Sequence, residues 1–467
     1  MQSHLHPPST PNETLTLKQL HTKALPLWTL IGFQLMVNHG SWESRGLGCR
    51  YKTFPRCQFF VCQLSHITVL HWPAFIMHVT LKSFGLASIL SVAGTSAALG
   101  GYVVSPTLQT DILAAAALGK LTLHAAQNRD TTTCTLENVA IRREWGSLSA
   151  ANRQAYTNAV RCLMEHPSLL DPLETRFDDF VAVHINQTFS IHGTANFLSW
   201  HRYFTYAFEQ ALRSECNYDG YHPYWNWGNY AHNPLNSPVF DGSSTSMSGN
   251  GEYVPHNCTD GLPTGLNCIP PGSGGGCVTT GPFANMSVNL GPIAPTLAAP
   301  GVVPASSLFA YNPRCLRRDI SSWVSSNWTT DFESYDLISN YTDILSFQNR
   351  MQGDFATGFY GVHTGGHFAI GGDPGGDLFA SPGGPAFYLH HAQINRVWWI
   401  WQNLHPETRT NAIGGTITLN NFPPSRNGTL NDLLDLGVVG PAAGVLEIRD
   451  VMSTIGIGGG PFCYIYV

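Results

Sequence analysis

The stretch VHINQTFSIHGTANFLSWHRYFTYAFE, residues 183–209, contains three histidines that are eight and nine residues apart. His184 follows an apolar run with helical spacing, and His201 opens a run whose aromatic residues recur every four positions, so both are predicted to lie on helices. His192 precedes Gly193 and is predicted to lie in a loop or at an irregular helix entry. Two helices and one loop can bring three imidazoles to one metal ion.

A second histidine cluster lies more than 150 residues downstream. The segment GVHTGGHFAIGG, residues 361–372, places His363 and His367 one helical turn apart, on one face of a helix. The segment FYLHHAQINRVWWIWQ, residues 387–402, adds the adjacent pair His390 and His391 at the start of a predicted helix. A single histidine is more often a hydrogen-bonded core residue than a ligand, but two such sets together predict two metal ions.

The types of side chain around these histidines limit the choice of metal. No CxxC pair and almost no carboxylates accompany them, and an all-imidazole site suits copper, zinc, iron or nickel. A zinc hydrolase would use carboxylates, and a second all-histidine trio has no purpose in a one-zinc design. Two neighbouring copper ions make chemical sense, since each Cu(I) gives one electron and the pair can give two to O2. The residues therefore predict a dicopper oxygen site.

Composition is that of a soluble globular protein. The 467 residues are 43% apolar and 12% charged, and 24 basic against 30 acidic residues give a net charge of −6. The sequence has no run of basic residues that could bind along a phosphate backbone, so nucleic acid is excluded as a partner. A membrane partner is also not expected, because the longest apolar run of residues 1–76, near residues 25–37, is too short to span a bilayer.

The N-terminal part of the chain has a different character. Residues 1–97 hold seven of the Lys and Arg residues but only two acids, and from Met77 the chain reads as a secretory signal peptide with Lys82, an apolar core and small residues near 95–98. We therefore predict that residues 1–76 are an over-extended gene model, residues 77–98 a signal peptide and residues 99–467 the functional domain. An unusual N-terminal domain or a membrane anchor is the rival interpretation of residues 1–76.

Cysteines and sequons agree with secretion. Eight cysteines follow residue 98, an even number suited to disulfides in an oxidising compartment. Six Asn-x-Ser/Thr sequons in the same region are compatible with a glycosylated surface. A Gly/Pro/Ser-rich run of about 75 residues, ending near Pro313, predicts a long excursion over the core.

From about Cys134 to Tyr466 the chain resembles the tyrosinase and catechol oxidase family, the type-3 copper polyphenol oxidases, and most of all their short secreted fungal members. FLSWHR at 197–202 and FYLHHAQINRVW at 387–398 resemble the two copper signatures. The resemblance implies a mainly α-helical fold, a four-helix-bundle dicopper core with long loops and little β-structure. It implies one copper on His184, His192 and His201 and the other on His363, His367 and His391, with His390 as a neighbour.

The activity that the resemblance implies is the O2-dependent oxidation of small phenols. Hydroxylation of monophenols in the family is associated with an Asn directly after the first ligand of the second copper and with a Glu about nine residues earlier. Here Thr364 follows that ligand, and Gln352 and Asp354 are the upstream candidates. We therefore expect oxidation of o-diphenols, or of o-aminophenols, over hydroxylation. The alternative is reversible O2 binding as in haemocyanins.

Several residues beside the ligands carry further expectations. The residues expected to line the substrate pocket are Thr364, Phe368, Phe387 and His390. Asn395 stands where the family usually has Asp, and its loss of charge is expected to weaken a contact with Arg396.

Overall fold

The computed structural model describes residues 53–54, 57–58, 108–128, 134–135, 137–258, 268–441 and 444–467. The chain divides into two compact units, Met1–His78 and Val79–Val467. In the first, strands β1 (Thr53–Phe54) and β2 (Cys57–Gln58) form an antiparallel pair. The predicted signal segment 77–98 lies outside the described residues.

The second unit is mainly helical, as predicted. The α-helices among its described residues are α1 (Gln109–Gln127), α2 (Ala150–Glu165), α3 (Arg176–Ile191), α4 (Phe197–Glu215), α5 (Ser322–Trp328), α6 (Asp331–Asn340), α7 (Ile344–Gln352), α8 (Gly361–Ile370), α9 (Ala386–Asn403) and α10 (Pro406–Arg409). Four of these helices, α3, α4, α8 and α9, carry the two histidine clusters.

Strands are short and come in pairs among the described residues. They are β3 (Ala140–Arg142), β4 (Gly251–Tyr253), β5 (Gly275–Val278), β6 (Ser287–Val288), β7 (Arg314–Cys315), β8 (Leu433–Leu434), β9 (Leu446–Glu447) and β10 (Tyr464–Tyr466). Strands β3 and β10 pair in parallel, whereas β4–β5, β6–β7 and β8–β9 pair antiparallel. The strands therefore fasten loops to the helical core.

Helix α3 begins with a capping box. The Thr175 hydroxyl accepts a hydrogen bond from the Asp178 backbone amide at 3.2 Å, and the Asp178 carboxylate accepts one from the Thr175 amide at 3.0 Å. Two amide groups that a helix start leaves unpaired are thereby satisfied, which fixes where α3 begins. The first histidine of the chain's first cluster, His184, thus has a defined place on this helix.

Helix α9 is the centre of the fold, since all its residues from Ala386 to Asn403 are buried. A helix buried on every side must pair its polar groups inside the protein. Asn395 accepts a hydrogen bond from Arg202 Nε at 2.7 Å and donates one to the Tyr464 hydroxyl at 2.8 Å. Arg396 instead pairs with Asp111 of α1, at 2.6 Å. The expectation that Asn395 weakens a contact with Arg396 was wrong, because the two side chains bind different partners.

The end of the described chain supports helix α4. Strand β10 lies beside β3, where the Arg142 guanidinium stacks 3.6 Å from the Tyr464 ring centre and forms a buried ion pair with Glu209 of α4. A buried charge pair costs stability unless its hydrogen bonds are satisfied, and removing one partner leaves an uncompensated charge. The helix that carries His201 is therefore anchored to the pair of strands β3 and β10.

Four disulfides join the eight cysteines of residues 134–463, as their even number predicted. They pair Cys134 with Cys463, Cys162 with Cys216, Cys258 with Cys268, and Cys277 with Cys315. Two of them fasten the predicted Gly/Pro/Ser-rich excursion. Among the described residues, no helix has the length and apolar character needed to cross a membrane.

Candidate metal centre

The first histidine cluster comes from α3 and α4. His184 lies in the third turn of α3, His192 ends that helix, and His201 lies in the second turn of α4. Their ring centres are 5.0–5.7 Å apart and all three side chains are buried. The structure therefore brings together three residues that the sequence predicted as a trio, and His192 lies in the bend directly after α3, which agrees with the predicted loop and not with a helix entry.

Backbone carbonyls orient the three rings. The Nδ1 atoms of His184, His192 and His201 lie 2.8, 3.0 and 2.7 Å from the carbonyl oxygens of Phe379, Thr188 and Phe197. A carbonyl can only accept, so each Nδ1 carries the proton and each Nε2 keeps its lone pair. This second contact of a ligating imidazole is typical of metal sites, where it fixes the tautomer and the ring plane.

The Nε2 atoms provide the test of whether a metal fits. Those of His184 and His201 are buried and have no hydrogen-bond partner. A buried polar atom without a partner costs about 1–3 kcal/mol, so such atoms are uncommon in folded proteins. Two of them in a trio whose ligand atoms all lie within 4.8 Å of one another are accounted for if a metal ion is bound between them.

The second cluster comes from α8 and α9. His363 and His367 are one turn apart on α8, and the adjacent His390 and His391 lie in the second turn of α9, which begins five residues earlier than the sequence predicted. The Nε2 atoms of His367 and His391 are 3.1 Å apart. Metal–nitrogen bonds of about 2.0–2.1 Å place two nitrogens on one ion about 3 Å apart. This cluster also fits a metal.

The geometry distinguishes the two adjacent histidines. His390 donates from Nε2 to the His363 carbonyl at 2.9 Å, and its ring lies so close to Gly366 that a Cβ there would be 2.1 Å from the ring. The His391 ring, in contrast, faces the other histidines, stacking on His201 with 4.6 Å between centres and meeting His363 and His367 at 5.2 Å. His390 therefore commits its Nε2 atom to the backbone, whereas the Nε2 atom of His391 lies against that of His367.

The two trios face each other directly. Besides the contact between His201 and His391, the ring centres of His192 and His363 are 6.0 Å apart and those of His201 and His363 are 6.3 Å apart. Two ions bound by the trios would therefore be immediate neighbours, as a coupled pair requires. The third group with metal-ligand geometry, Cys162, His166 and Cys216, contains a disulfide and has no thiolate to offer.

Burial keeps the imidazoles neutral. Desolvation lowers the pKa of His192 to about 4 and that of His367 to about 3, and it lowers the pKa of His184, His201 and His391 well below the ordinary value. A metal binds the neutral form of imidazole. These side chains therefore offer lone pairs at neutral pH without first releasing a proton.

Two phenylalanines cover the rings. Phe387 stacks on His391 at 4.1 Å and meets His184 edge-on at 5.5 Å, so it contacts both clusters. Phe197 meets His363 edge-on at 4.8 Å. Both side chains are buried, and they exclude water from the side of the site on which they lie.

The other predicted pocket residues have different surroundings. Thr364 is buried and donates from its hydroxyl to the Gln352 carbonyl at 2.8 Å. Phe368 packs edge-on against Tyr360, with 5.4 Å between ring centres. Asp354, the other upstream candidate, accepts a hydrogen bond from the Ala356 amide in its own turn.

Sequence reasoning missed the acceptors that orient two of the rings. Phe379 and Gly375 belong to the glycine-rich loop between α8 and α9, and their carbonyls lie 2.8 and 3.3 Å from Nδ1 of His184 and His367. Gln352 was considered only for its chemistry, yet its amide oxygen accepts from the Gly193 amide at 2.7 Å and so links α7 to the residue after His192. No side-chain pattern marks the two carbonyls, because every residue has one.

Comparison with known proteins identifies the family. Residues 174–404 match the family model described as the common central domain of tyrosinase. A solved polyphenol oxidase from Thermothelomyces thermophila, a single-residue mutant, is 40% identical, covers 78% of this chain and 99% of that one, and superposes with a TM-score of 0.72. Tyrosinase P of Aspergillus terreus is 39% identical over 70% of this chain and 91% of its own length. This chain belongs to the tyrosinase family.

Membership of the tyrosinase family gives the two trios their cofactor. Members of this family bind a dicopper centre and use it to oxidise phenolic compounds with O2, so this chain is a copper-dependent oxidoreductase. The N-acetyl-6-hydroxytryptophan oxidase of Emericella nidulans is 38% identical over 72% of this chain and 94% of its own length. Relatives in the tyrosinase family thus have more than one named oxidase activity.

Proposed function

We propose that this chain oxidises o-diphenols, or o-aminophenols, with O2 and releases o-quinones or their imines. The observation that carries the proposal is the pair of facing histidine trios, in which every imidazole except the partly buried His367 is buried and each trio contains ring nitrogens without a hydrogen-bond partner. The proposed ligands are His184, His192 and His201 for one copper and His363, His367 and His391 for the other.

The chain's own residues provide binding, orientation and shielding. Bound copper would supply the exchange of electrons between phenol and O2. The carbonyls of Phe379, Thr188 and Phe197 hold the first three rings in one orientation, so little reorganisation accompanies a change in the charge on the metal. Phe387 covers rings of both trios and keeps water away on that side.

The residues beside the second trio favour diphenol oxidation over hydroxylation. Hydroxylation needs a base that takes the proton of a monophenol, and a carboxylate can do so where an amide cannot. Gln352 is an amide whose oxygen already accepts from Gly193 and whose nitrogen donates to the Gln348 carbonyl at 3.2 Å. The Thr364 hydroxyl is also committed, and Asp354 caps a surface turn. An o-diphenol is more acidic and depends less on such a base.

The substrate pocket is proposed at Thr364, Phe368, Phe387 and His390. Support is strongest for Phe387, whose ring lies against both trios. His390 supports the pocket from behind, since it is fully buried and hydrogen-bonded to the α8 backbone. Haemocyanin-like O2 carriage is the alternative, but the relatives reported above are named as a tyrosinase and two oxidases.

We also propose that the protein is secreted, with residues 77–98 as the signal peptide, residues 99–467 as the domain and residues 1–76 outside the natural product. The four disulfides support an oxidising compartment. Sequencing the N-terminus of the protein secreted by its source tests the boundaries. A mature chain that begins upstream of residue 77 would refute them.

Activity assays test the preference between substrates. Copper-loaded full chain is expected to oxidise 4-methylcatechol and to leave tyramine unhydroxylated. The double variant Thr364→Asn with Gln352→Glu should gain tyramine hydroxylation, while Thr364→Val, which removes only the hydroxyl, should gain none. Hydroxylation of tyramine by the unaltered chain at a rate near that for 4-methylcatechol would contradict the proposal.

A further inference from the structure

Residues 99–467 are almost free of lysine. They contain one lysine, Lys120, against 16 arginines, whereas residues 1–98 contain four lysines and three arginines. Nucleotide composition does not explain the difference, because the same 369 residues contain 27 asparagines, whose codons begin with the same two adenines as those of lysine. Lysine is normally among the commonest residues. The domain therefore avoids the lysine amine and keeps the positive charge.

Free thiols are equally scarce in the described part of the chain from residue 108 onward. All eight of its cysteines form disulfides. The nucleophilic form of cysteine is the thiolate, which a disulfide does not provide. The lysine amine and the cysteine thiol are the two side chains that react fastest with electrophiles. In this part of the chain they are represented by one lysine and no free thiol.

The electrophile to which this surface would be exposed is the proposed product, an o-quinone. An o-quinone accepts the lone pair of a neutral amine at a ring carbon, forming a C–N bond. The ring's electron pair moves to one carbonyl oxygen, which takes up the proton that the nitrogen loses, and the hydrogen of the attacked ring carbon then reaches the other oxygen through water. The product is an amine-substituted catechol, and the addition consumes no oxidant. Arginine remains protonated at neutral pH, so it has no comparable lone pair to offer.

We propose that residues 99–467 resist arylation by o-quinones, and that Lys120 is their one side-chain amine open to such modification. The inference rests on the proposed function, since it takes o-quinone as the product released at this domain's surface. The copper ligands do not require this property. It is a protein surface that carries cationic arginines and almost no nucleophilic lysine amines or free thiols.

Structural need does not account for the exposed arginines. Arg142, Arg202 and Arg318 are buried, where the forked guanidinium is the better hydrogen-bond donor. Arg426 and Arg449, in contrast, are 58% and 51% exposed and form surface ion pairs with Asp432 and Glu447. Exposed pairs contribute little to stability, and lysine could replace arginine in them. The choice of arginine at such places is what quinone resistance predicts.

Lys120 has a structural role that accounts for its presence. It lies on α1, and its Nζ donates to the Leu404 carbonyl, 2.6 Å away, at the end of α9. A cation there pairs with a carbonyl that the helix leaves free and with the negative end of the helix dipole. Because its Nζ atom is engaged in this hydrogen bond, Lys120 should react more slowly than a free surface lysine.

Pre-formed quinone tests the proposal separately from enzyme activity. Copper-free and copper-loaded full chain would each be treated with o-quinone made by periodate oxidation of 4-methylcatechol and freed of periodate, then digested for peptide mass mapping. Residues 99–467 should carry no adduct, or one on Lys120. If residues 1–98 are in the purified chain, their four lysines serve as internal positive controls.

Matched variants make the result decisive. Arg426→Lys places an amine in the loop 415–428, which hydrogen-bonds to Gly193 and Ala195 beside the first trio, and Arg161→Lys places one at an exposed position of helix α2. Each should gain one quinone adduct, on the new lysine. Unmodified new lysines would overturn the proposal, and so would adducts on the exposed His232 or His405 of the unaltered chain that form as fast as those on the new lysines.

Turnover gives a second and distinguishable readout. With 4-methylcatechol as substrate, Arg426→Lys should start at the rate of the unaltered enzyme and incorporate product at residue 426. Absence of catechol turnover would refute the proposed function and leave the result with pre-formed quinone to stand. Turnover without any product on the new lysine would refute the quinone-resistance proposal alone.

Discussion

Gly366 is the residue at which one added carbon should disrupt the second trio. In Gly366→Ala the new Cβ would lie 2.1 Å from Cε1 and 2.4 Å from Nδ1 of His390. The ring cannot move away cheaply, because it is fully buried, contacts Trp227 at 5.2 Å and is hydrogen-bonded to the His363 carbonyl. Either α8 or α9 must shift, and with it the ligands that each helix carries.

The size of the effect follows from these contacts. Overpacking of this kind costs about 1–3 kcal/mol, and loss of the buried hydrogen bond adds about 1–3 kcal/mol. The higher helix propensity of alanine returns about 1 kcal/mol. We expect the free energy of unfolding to fall by about 1–5 kcal/mol and the copper content to fall below two per chain, measured by urea unfolding and by metal analysis.

Gly119→Ala is the matched control, because a Cβ at Gly119 on α1 would meet nothing within 4 Å. This variant should keep both copper ions and gain up to about 1 kcal/mol from helix propensity. The reasoning would be refuted if Gly366→Ala bound two copper ions and unfolded at the same urea concentration as the unaltered protein.

Three further predictions concern a buried acid, the adjacent histidines and the metal. Burial raises the pKa of Glu144 to about 7, so its charge opposes folding, and the free energy of unfolding should fall by about 3 kcal/mol between pH 4.5 and pH 8 on account of this group. Glu144→Gln should remove that part of the pH dependence in urea titrations, and an unchanged slope would contradict the assignment. His391→Ala should hold one copper per chain, while His390→Gln, which keeps a donor for the His363 carbonyl, should hold two; equal copper contents in the two variants would contradict the ligand assignment. Removing copper with a chelator should lower the melting temperature, because the unpaired imidazole nitrogens remain buried, and scanning calorimetry that shows no shift would argue against metal binding.

The sequence predicted much of this structure because the relevant signals are local. Helical spacing places His184, His363 and His367 on helices, and the side-chain types alone suggest imidazole-bound metal. The pairing of Arg396 with Asp111 could not be predicted, because the two are 285 residues apart and Asn395 was the nearer candidate. The choice between His390 and His391 needed either the family resemblance or the packing of α8 on α9. Carbonyl acceptors such as Phe379 carry no side-chain signal.

The most direct test of the central claim is the absorption spectrum of the copper-loaded full chain before and after addition of hydrogen peroxide, followed by 4-methylcatechol in the same cuvette. Two trios that hold a coupled pair of copper ions predict a near-ultraviolet band that appears with peroxide and a quinone absorption that grows with the catechol. Two copper ions bound per chain, with neither the band nor the quinone, would contradict the account.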